Sequence, residues 1–423
     1  MARECKFVQR EPQKIFPLEF LCALFLTVFT GKNTYQNNAE KIGLLINDTV
    51  SKQAVHQRTN ENVVEWLKLI LLSSLKKTSR DTKSVNVQTN VFDKFNRVLI
   101  TDSTYISLPP FLAKFFGGCI NQSKKETATC KIQATIDILK ECYCNFEITR
   151  YNKNDQEASH DILNIAQSND LIIRDLGYFS LAVFKKIIME KIFFLSRLRA
   201  NVSIYLIKQK EKFNLLDYLK KNIDLEYIDI DVILGQKHKV PVRLVAQRLP
   251  EEVAAERRRK EKNHHDRRLN PSEEKLELLG WNIYITNVLE TTWDAKTVCA
   301  VYHIRWRIEI IFKSWKSFFK ISEVPKANKE RVEMHIYMHL LVITLYHSYN
   351  YVNMLEKYYQ NKSQKHLSLL KFSNYLKEQS WAIIIFFGDE QGLKTFEKQA
   401  AYWCNYEKRK KRKSYPQKLL ALG

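Results

Sequence analysis

The chain has 423 residues, 45% hydrophobic and 12% aromatic, which is more than a single core ordinarily serves and too apolar for a disordered chain. Its 68 basic against 46 acidic residues give a formal net charge of +22, so the partner to expect is a polyanion: DNA, RNA or an anionic membrane. The membrane weakens as a choice because the early apolar stretch, Phe16 to Phe29, contains Pro17 and Glu19 and is too short to span, and the Trp381–Phe387 run is shorter still.

A soluble cytoplasmic protein is therefore expected. The eight cysteines include no CxxC pair, and Cys142-x-Cys144 alternates along an expected strand, so reduced core thiols are favoured over a structural zinc. Ten glycines form no phosphate-cradling loop, and no nucleotide is expected.

Residues 1–90 read as helical. Pro17–Thr30 and Asn62–Leu75 are apolar helices, with Glu40–Ile46, a turn at Asn47-Asp48, and Ser51–Thr59 between them. Ser51 is a good N-cap, and the helix after it presents Lys52, Gln53 and Arg58. The length and polarity fit a helix-turn-helix DNA-binding unit; an ordinary small helical bundle fits as well. Residues 76–91 read as a linker.

From about residue 95 strands alternate with helices. Arg97–Asp102 is an apolar run ending in an acid, and Lys131–Ile136 and Cys144–Tyr151 are further strands. A helix over Ser159–Gln167 precedes a second apolar strand ending in an acid, Leu171–Asp175; a helix over Ser180–Glu190 and a strand over Lys191–Leu198 follow. This order predicts an α/β protein with a mixed sheet. Residues 200–288 interrupt the rhythm with strands Tyr227–Leu234 and Lys239–Leu249 joined at Gly235-Gln236, a charged helix Glu251–Arg268 that includes Arg257, and a strand Asn282–Val288. Ala295–Phe319 reads as one long helix. Residues 331–423 are largely helical and end near the cationic run Lys408–Lys413.

The chemistry is sought where strands end, since ligand sites of α/β sheets lie there. Asp102 and Asp175 could thus lie side by side, although an Asp after a strand is often only a turn former or a cap. On the long helix, Tyr302, Arg305, Glu309, Lys313 and Lys316 share one face, opposite Val301, Ile304, Ile308, Ile311, Trp315 and Phe318. Alone, that face is a solvated stripe of weak ion pairs. Together, three acids on three elements supply hard oxygen ligands for two Mg²⁺ or Mn²⁺ ions about 4 Å apart, the arrangement that clamps an in-line phosphoryl displacement. The cations beside the third acid suit flanking phosphates. His335 and His339, four apart on a helix, lack the Glu of a zinc protease and read as ordinary surface or core histidines.

The pattern Tyr302-x2-Arg305-x3-Glu309-x6-Lys316 resembles the Tyr-Arg-Glu-Lys signature of bacterial insertion-sequence transposases of the DDE class, the insertion-sequence-four-like family. Thr101-Asp-Ser-Thr104 and Ile173-Arg-Asp-Leu-Gly-Tyr-Phe179 resemble that family's first and second acid motifs, although Leu176 stands where many relatives are polar. The resemblance covers roughly residues 10–350. It implies a ribonuclease-H-like core over 91–199 and 289–325, interrupted by a strand-rich insertion over 200–288. It further implies Asp102, Asp175 and Glu309 as catalytic metal ligands, and Tyr302, Arg305 and Lys316 as backbone grips near the cut, with Lys313 assisting. Arg197 falls at a further phosphate-binding position. Trp281 falls at an aromatic that stacks on a base extruded from the DNA end, or is simply a core Trp opening its strand.

The implied function is cut-and-paste transposition on DNA, at the element's terminal inverted repeats and a target, in a bacterial cytoplasm beside the nucleoid. Pairing two ends implies a homodimer, with the C-terminal helices, about 331–400, its candidate contact, within a C-terminal helical region over 326–423 that carries the basic tail. The alternatives are a non-catalytic DNA-binding descendant and a stand-alone nuclease.

Overall fold

The computed structural model describes residues 1–12, 14–31, 33–82, 90–118, 127–207, 212–263, 271–360, 366–379, 389–406 and 417. The cationic run at 408–413, the apolar run at 381–387 and the part of the charged helix beyond residue 263 lie outside them. The chain is α/β, with nine strands and fifteen helices labelled in chain order among the described residues. It divides into two compact units: 1–86, 103–153 and 307–414 form one, and 87–102, 154–306 and 415–423 the other.

In the first unit α1 (Pro17–Thr30), α2 (Tyr35–Ile46), α3 (Lys52–Arg58) and α4 (Glu61–Asp81) follow one another closely. Local chemistry fixes their ends. Ser51 accepts from the Ala54 N–H as expected of an N-cap, Asn60 accepts from Asn62 and Val63, and Asn47 closes α2 in a left-handed conformation. α2 and α4 are longer than expected, and α4 runs through residues 76–81, the start of the stretch read as a linker.

β2 (Ala128–Asp137) and β3 (Cys142–Arg150) pair antiparallel, and β2 lies beside the latter part of β1 (Val98–Leu108). The short α5 (Ala113–Phe116) precedes β2. After α11 (Trp306–Ser317) come α12 (Lys329–Leu345), a π-turn over Tyr346–Tyr351, α13 (Val352–Gln360), α14 (Leu369–Glu378) and α15 (Glu390–Trp403). α12 is almost wholly buried and packs on α1 and α4.

His335 and His339 are in that core. Asn33 donates to His335 Nδ1 at 3.3 Å, so Nε2 carries the proton and donates to Ile321 O at 3.1 Å; His339 Nδ1 donates to His335 O at 2.6 Å. Both rings are neutral. Burial pushes His335 down to about 4, with Arg331 adding to the shift and Glu323 opposing it, and it also depresses His339. The unfolded chain binds protons as pH falls through 6.5, whereas folded His335 does so only near 4. Stability contributed by His335 is thus complete above pH 6.5 and is lost between there and pH 4, by about 3 kcal/mol in all. Denaturant titrations at pH 7.5 and 5 should show about 2 kcal/mol of this loss, and His335→Gln should remove that share while leaving the part owed to His339.

In the second unit the strand order is β1-β4-β5-β9-β8-β7-β6. The start of β1, β4 (Leu171–Arg174) and β5 (Phe193–Arg197) are parallel and nearly all apolar, as strands covered on both faces are. A 3₁₀ stretch over Glu157–Asn164 stands where an α-helix was expected, and α6 (Leu181–Met189) joins β4 to β5.

β6 (Ile204–Leu206), β7 (Tyr227–Leu234), β8 (Val240–Arg248) and β9 (Trp281–Thr286) are antiparallel, and β9 pairs directly with β5. The strands of 200–288 therefore extend the sheet of this unit. α7 (Leu215–Lys221), α8 (Glu251–Lys262) and α9 (Glu273–Leu278) punctuate them. The β7–β8 connection is the five residues 235–239, not two. Gly235 has φ +77°, and a Cβ there would fall 2.4 Å from Leu181 Cδ1. α10 (Ala295–Tyr302) follows β9, capped by Asp294.

Candidate active site

Parallel pairing of β1 and β4 places Asp102 and Asp175. Their register ends with Thr101 opposite Arg174, so the next residue on each strand is the acid. One expectation is corrected here: Asp102 does not end its strand. β1 continues to Leu108, and Asp102 lies within it. Asp175 follows β4 directly and begins the 3₁₀ turn Leu176–Tyr178, yet its side chain makes no capping bond. Neither carboxylate is used as a turn former or cap.

Both acids converge on Arg305. Its Nη1 donates to Asp102 Oδ2 at 3.0 Å, and its Nε lies 3.8 Å from Asp175 Oδ1. Tyr302 donates its hydroxyl to the same Asp175 oxygen at 3.3 Å. That phenol is 5% exposed, and burial foremost, then the Asp175 charge, raise its pKa, so it stays protonated and donates. The Arg197 guanidinium lies 5.6 Å from the Tyr302 ring centre, and Tyr284 packs on the ring at 4.7 Å.

The single long helix is also corrected. α10 stops at Tyr302, His303–Arg305 form a 3₁₀ turn, and α11 starts at Trp306. Tertiary bonds from Tyr302 and Arg305 to acids more than a hundred residues away are satisfied by the tighter turn, which helix propensity does not oppose strongly. The continuous face is therefore interrupted, and Tyr302 is buried instead of solvated. Phe318, expected in the core, is half-buried.

Glu309 belongs to the other unit, where it is half-buried on α11; Lys313 on the same helix is exposed, and Lys316 is half-buried with its pKa lowered by that burial. Trp306, which no sequence pattern singled out, is 55% exposed beside Arg305 in the chain.

In the second unit a cleft of about 720 Å³ is lined by Leu176, Arg197, Lys212, Arg257, Trp281 and Asn282, among others. Trp281 opens β9, one residue earlier than expected, and is 8% exposed. Arg257 donates to Asn282 Oδ1 at 3.0 Å, and burial and Arg197 both lower its pKa. Sequence reading placed Arg257 only in a charged helix. Its signal was weak, because Arg258 and Arg259 beside it look the same in one dimension.

On α3, Lys52 and Gln53 are exposed as expected, but Arg58 is not presented with them. It turns back to donate to Ala54 O at 3.2 Å and lines a cleft of about 890 Å³ with Lys6, Arg10 and Lys14. Arg58 sits at the end of a seven-residue helix, where an unsatisfied carbonyl attracts a cation.

Among the described residues no group of three or more His, Cys, Asp or Glu side chains is arranged to hold a metal ion. Two carboxylates of the second unit do converge on one cation, the guanidinium of Arg305. Their hard oxygens are the donor type that suits Mg²⁺ or Mn²⁺, so Asp102 and Asp175 fit such an ion.

Residues 93–345 match the family described as "Transposase DDE domain". The chain is similar to the transposase for insertion sequence element IS231D of Bacillus thuringiensis subsp. finitimus, 29% identical over 366 residues that cover 82% of this chain and 75% of the relative. It is similar to the transposase for element IS1151 of Clostridium perfringens, 29% identical over 369 residues, 82% and 76%. The transposase for element IS231B of B. thuringiensis subsp. berliner is 28% identical over 365 residues, 81% and 74%. No helix among the described residues is long and apolar enough to cross a membrane. Since the matched segment exceeds half of the chain and spans all three acids, the chain belongs to the DDE transposase family and is a DNA transposase.

Proposed function

We propose that this transposase cuts DNA at the inverted ends of its own insertion sequence and joins them to a target, with Asp102, Asp175 and Glu309 holding two divalent ions, Mg²⁺ or Mn²⁺. The convergence of Asp102 and Asp175 on one positive charge carries this reading. When bound, the ions supply Lewis-acid stabilisation of attacking and leaving oxygens. Tyr302 orients Asp175 through its protonated hydroxyl. Arg305 and Arg197 have the planar forks that suit phosphate, and Lys313 and Lys316 add charge along α11.

The parallel β1-β4-β5 trio supports a ribonuclease-H-like core over 91–199 and 289–325, with 200–288 as its insertion. Residues 1–90 are assigned to end recognition, through Lys52 and Gln53 and, from the neighbouring cleft, Arg58. The C-terminal helices between about 331 and 400 are assigned to a homodimer that pairs two ends, in the cytoplasm beside the nucleoid.

The cleft with Trp281 and Arg257 is assigned to an extruded end base. Stacking is worth about 1–3 kcal/mol per base, so Trp281→Leu should slow cleavage by about 5- to 150-fold. A mismatch at the extruded pair lowers the flipping cost, and the defect should shrink on such a substrate. An equal defect on matched and mismatched ends would remove this assignment.

The overall reading is tested with the full chain, duplex carrying the element's ends, a target plasmid, and Mg²⁺, Mn²⁺ or EDTA. Metal-dependent cutting followed by joined products is expected. End binding without cutting in either metal would identify a non-catalytic descendant, and cutting without joining a nuclease.

A further inference from the structure

α11 carries Glu309 and starts after a 3₁₀ turn, not as a continuation of α10. Contacts within the first unit hold its first turn. Arg307, two residues before Glu309, is 1% exposed and makes a forked pair with Glu141: Nε lies 3.0 and 3.2 Å from the two carboxylate oxygens, and Nη2 lies 2.8 Å from Oε2. Arg307 Nη2 also reaches the Tyr351 hydroxyl at 3.2 Å, and His347 Nε2 lies 3.2 Å from Glu141 Oε2. Both residues belong to the π-turn Tyr346–Tyr351, a helix irregularity found often at functional sites. One turn or two further along α11, Trp315 Nε1 donates to the Tyr143 hydroxyl at 3.1 Å, which ties the same helix to the start of β3.

Three features separate this cluster from ordinary core packing. A buried ion pair is a poor source of stability, since apolar residues of similar volume usually do as well or better; what it supplies is a directional fix. Glu141 holds φ +49°, a left-handed conformation that glycine adopts readily and a glutamate does not, in the turn between β2 and β3. The position keeps a carboxylate at the expense of backbone comfort. Finally, two residues of an α-helix subtend about 200° around its axis, so Arg307 and Glu309 point to nearly opposite sides. Any rotation that the Arg307 fork prevents would swing the Glu309 carboxylate by the same angle.

We propose that Glu141, Arg307 and Tyr351, with His347, form a buried clamp that sets the phase of α11 and so aims Glu309 at its ion. These are positioning residues, and the proposal rests on the reading of Glu309 as the third metal ligand. Their removal should raise the metal demand of the enzyme more than it weakens DNA binding, because groups that orient a ligand commonly change metal affinity or activity by about 10- to 100-fold.

The test uses the full chain as the apolar double variant Glu141→Leu with Arg307→Met, and the milder Arg307→Lys and Tyr351→Phe. Cleavage of end DNA is titrated against Mg²⁺ and Mn²⁺, end binding is measured by gel shift in EDTA, and Fe²⁺-generated hydroxyl-radical scission of the chain near residue 309 reports ion placement without cleavage chemistry. The expected result is end binding within about twofold of the native chain, a 10- to 100-fold higher Mg²⁺ requirement, partial rescue by Mn²⁺, and weakened scission near residue 309. A folded double variant with native metal requirement and native scission would overturn the clamp. If the double variant does not fold, Arg307→Lys and Tyr351→Phe decide on the same measurements: a raised requirement supports it and an unchanged one ends it. Full cleavage by Glu309→Ala would instead remove the underlying ligand reading, whatever the clamp variants do.

Discussion

Asp102→Ala, Asp175→Ala and Glu309→Ala should each lower cleavage of end-containing DNA by about a thousandfold or more, while end binding stays within a few-fold. The size follows from the several kcal/mol of transition-state stabilisation that a well-held divalent ion provides, at about 1.4 kcal/mol for each factor of ten. The fold should survive, because all three side chains are partly solvated and the Asp175 side chain makes no capping bond. Removal of Asp102 also takes away a hydrogen-bond acceptor of Arg305 in a pair whose side chains are only 14% and 19% exposed, so its circular dichroism melt should shift further than that of the other two variants. Single-turnover cleavage with Mg²⁺, set beside gel shifts in EDTA, measures both quantities. Native cleavage by any one of the three variants would remove that residue from the ligand set.

Arg243→Ala should destabilise the second unit strongly, by about 3–5 kcal/mol. Arg243 is 6% exposed and donates to both carboxylate oxygens of Asp229, at 2.7 Å from Nε to Oδ1 and through Nη2 to Oδ2. Its Nη1 also donates to Val288 O at 3.3 Å and Trp293 O at 2.7 Å. Truncation strands a carboxylate on β7 and loosens the segment that leads into Asp294, the cap of α10. Since α10 ends at Tyr302, cleavage should fall together with stability. Urea titration gives the free energy, and Arg243→Lys, which keeps the charge but not the fork, should recover only part of it. A loss below about 1 kcal/mol would mean that water enters and satisfies Asp229.

Much of the candidate site was legible because its signals are short-range. Apolar runs of four to six residues marked β1, β4 and β5, and the acid after β4 lies where the run ends. Ser51 and Asn47 were read correctly because a cap or a left-handed turn bonds to residues two to four positions away. One further signal was present and unused: Arg307 stands in helical register with Ile304 and Ile311, and a cation on an apolar face requires a buried acid. The partner, Glu141, lies 166 residues away in the chain and could not be named.

The sequence by itself determined the α/β alternation, an acid at two of the three parallel strands, the cationic spacing around Glu309 and the charge that suits DNA, all through periodicities and bonds within a turn or two. Only the tertiary structure decided that β1 runs on past Asp102, that the helix breaks at His303–Arg305, that Arg305 reaches an acid 203 residues away, and that Arg58 turns inward. Those outcomes depend on strand order and register. These are chosen by the whole buried surface at once, and no local window of residues contains that information.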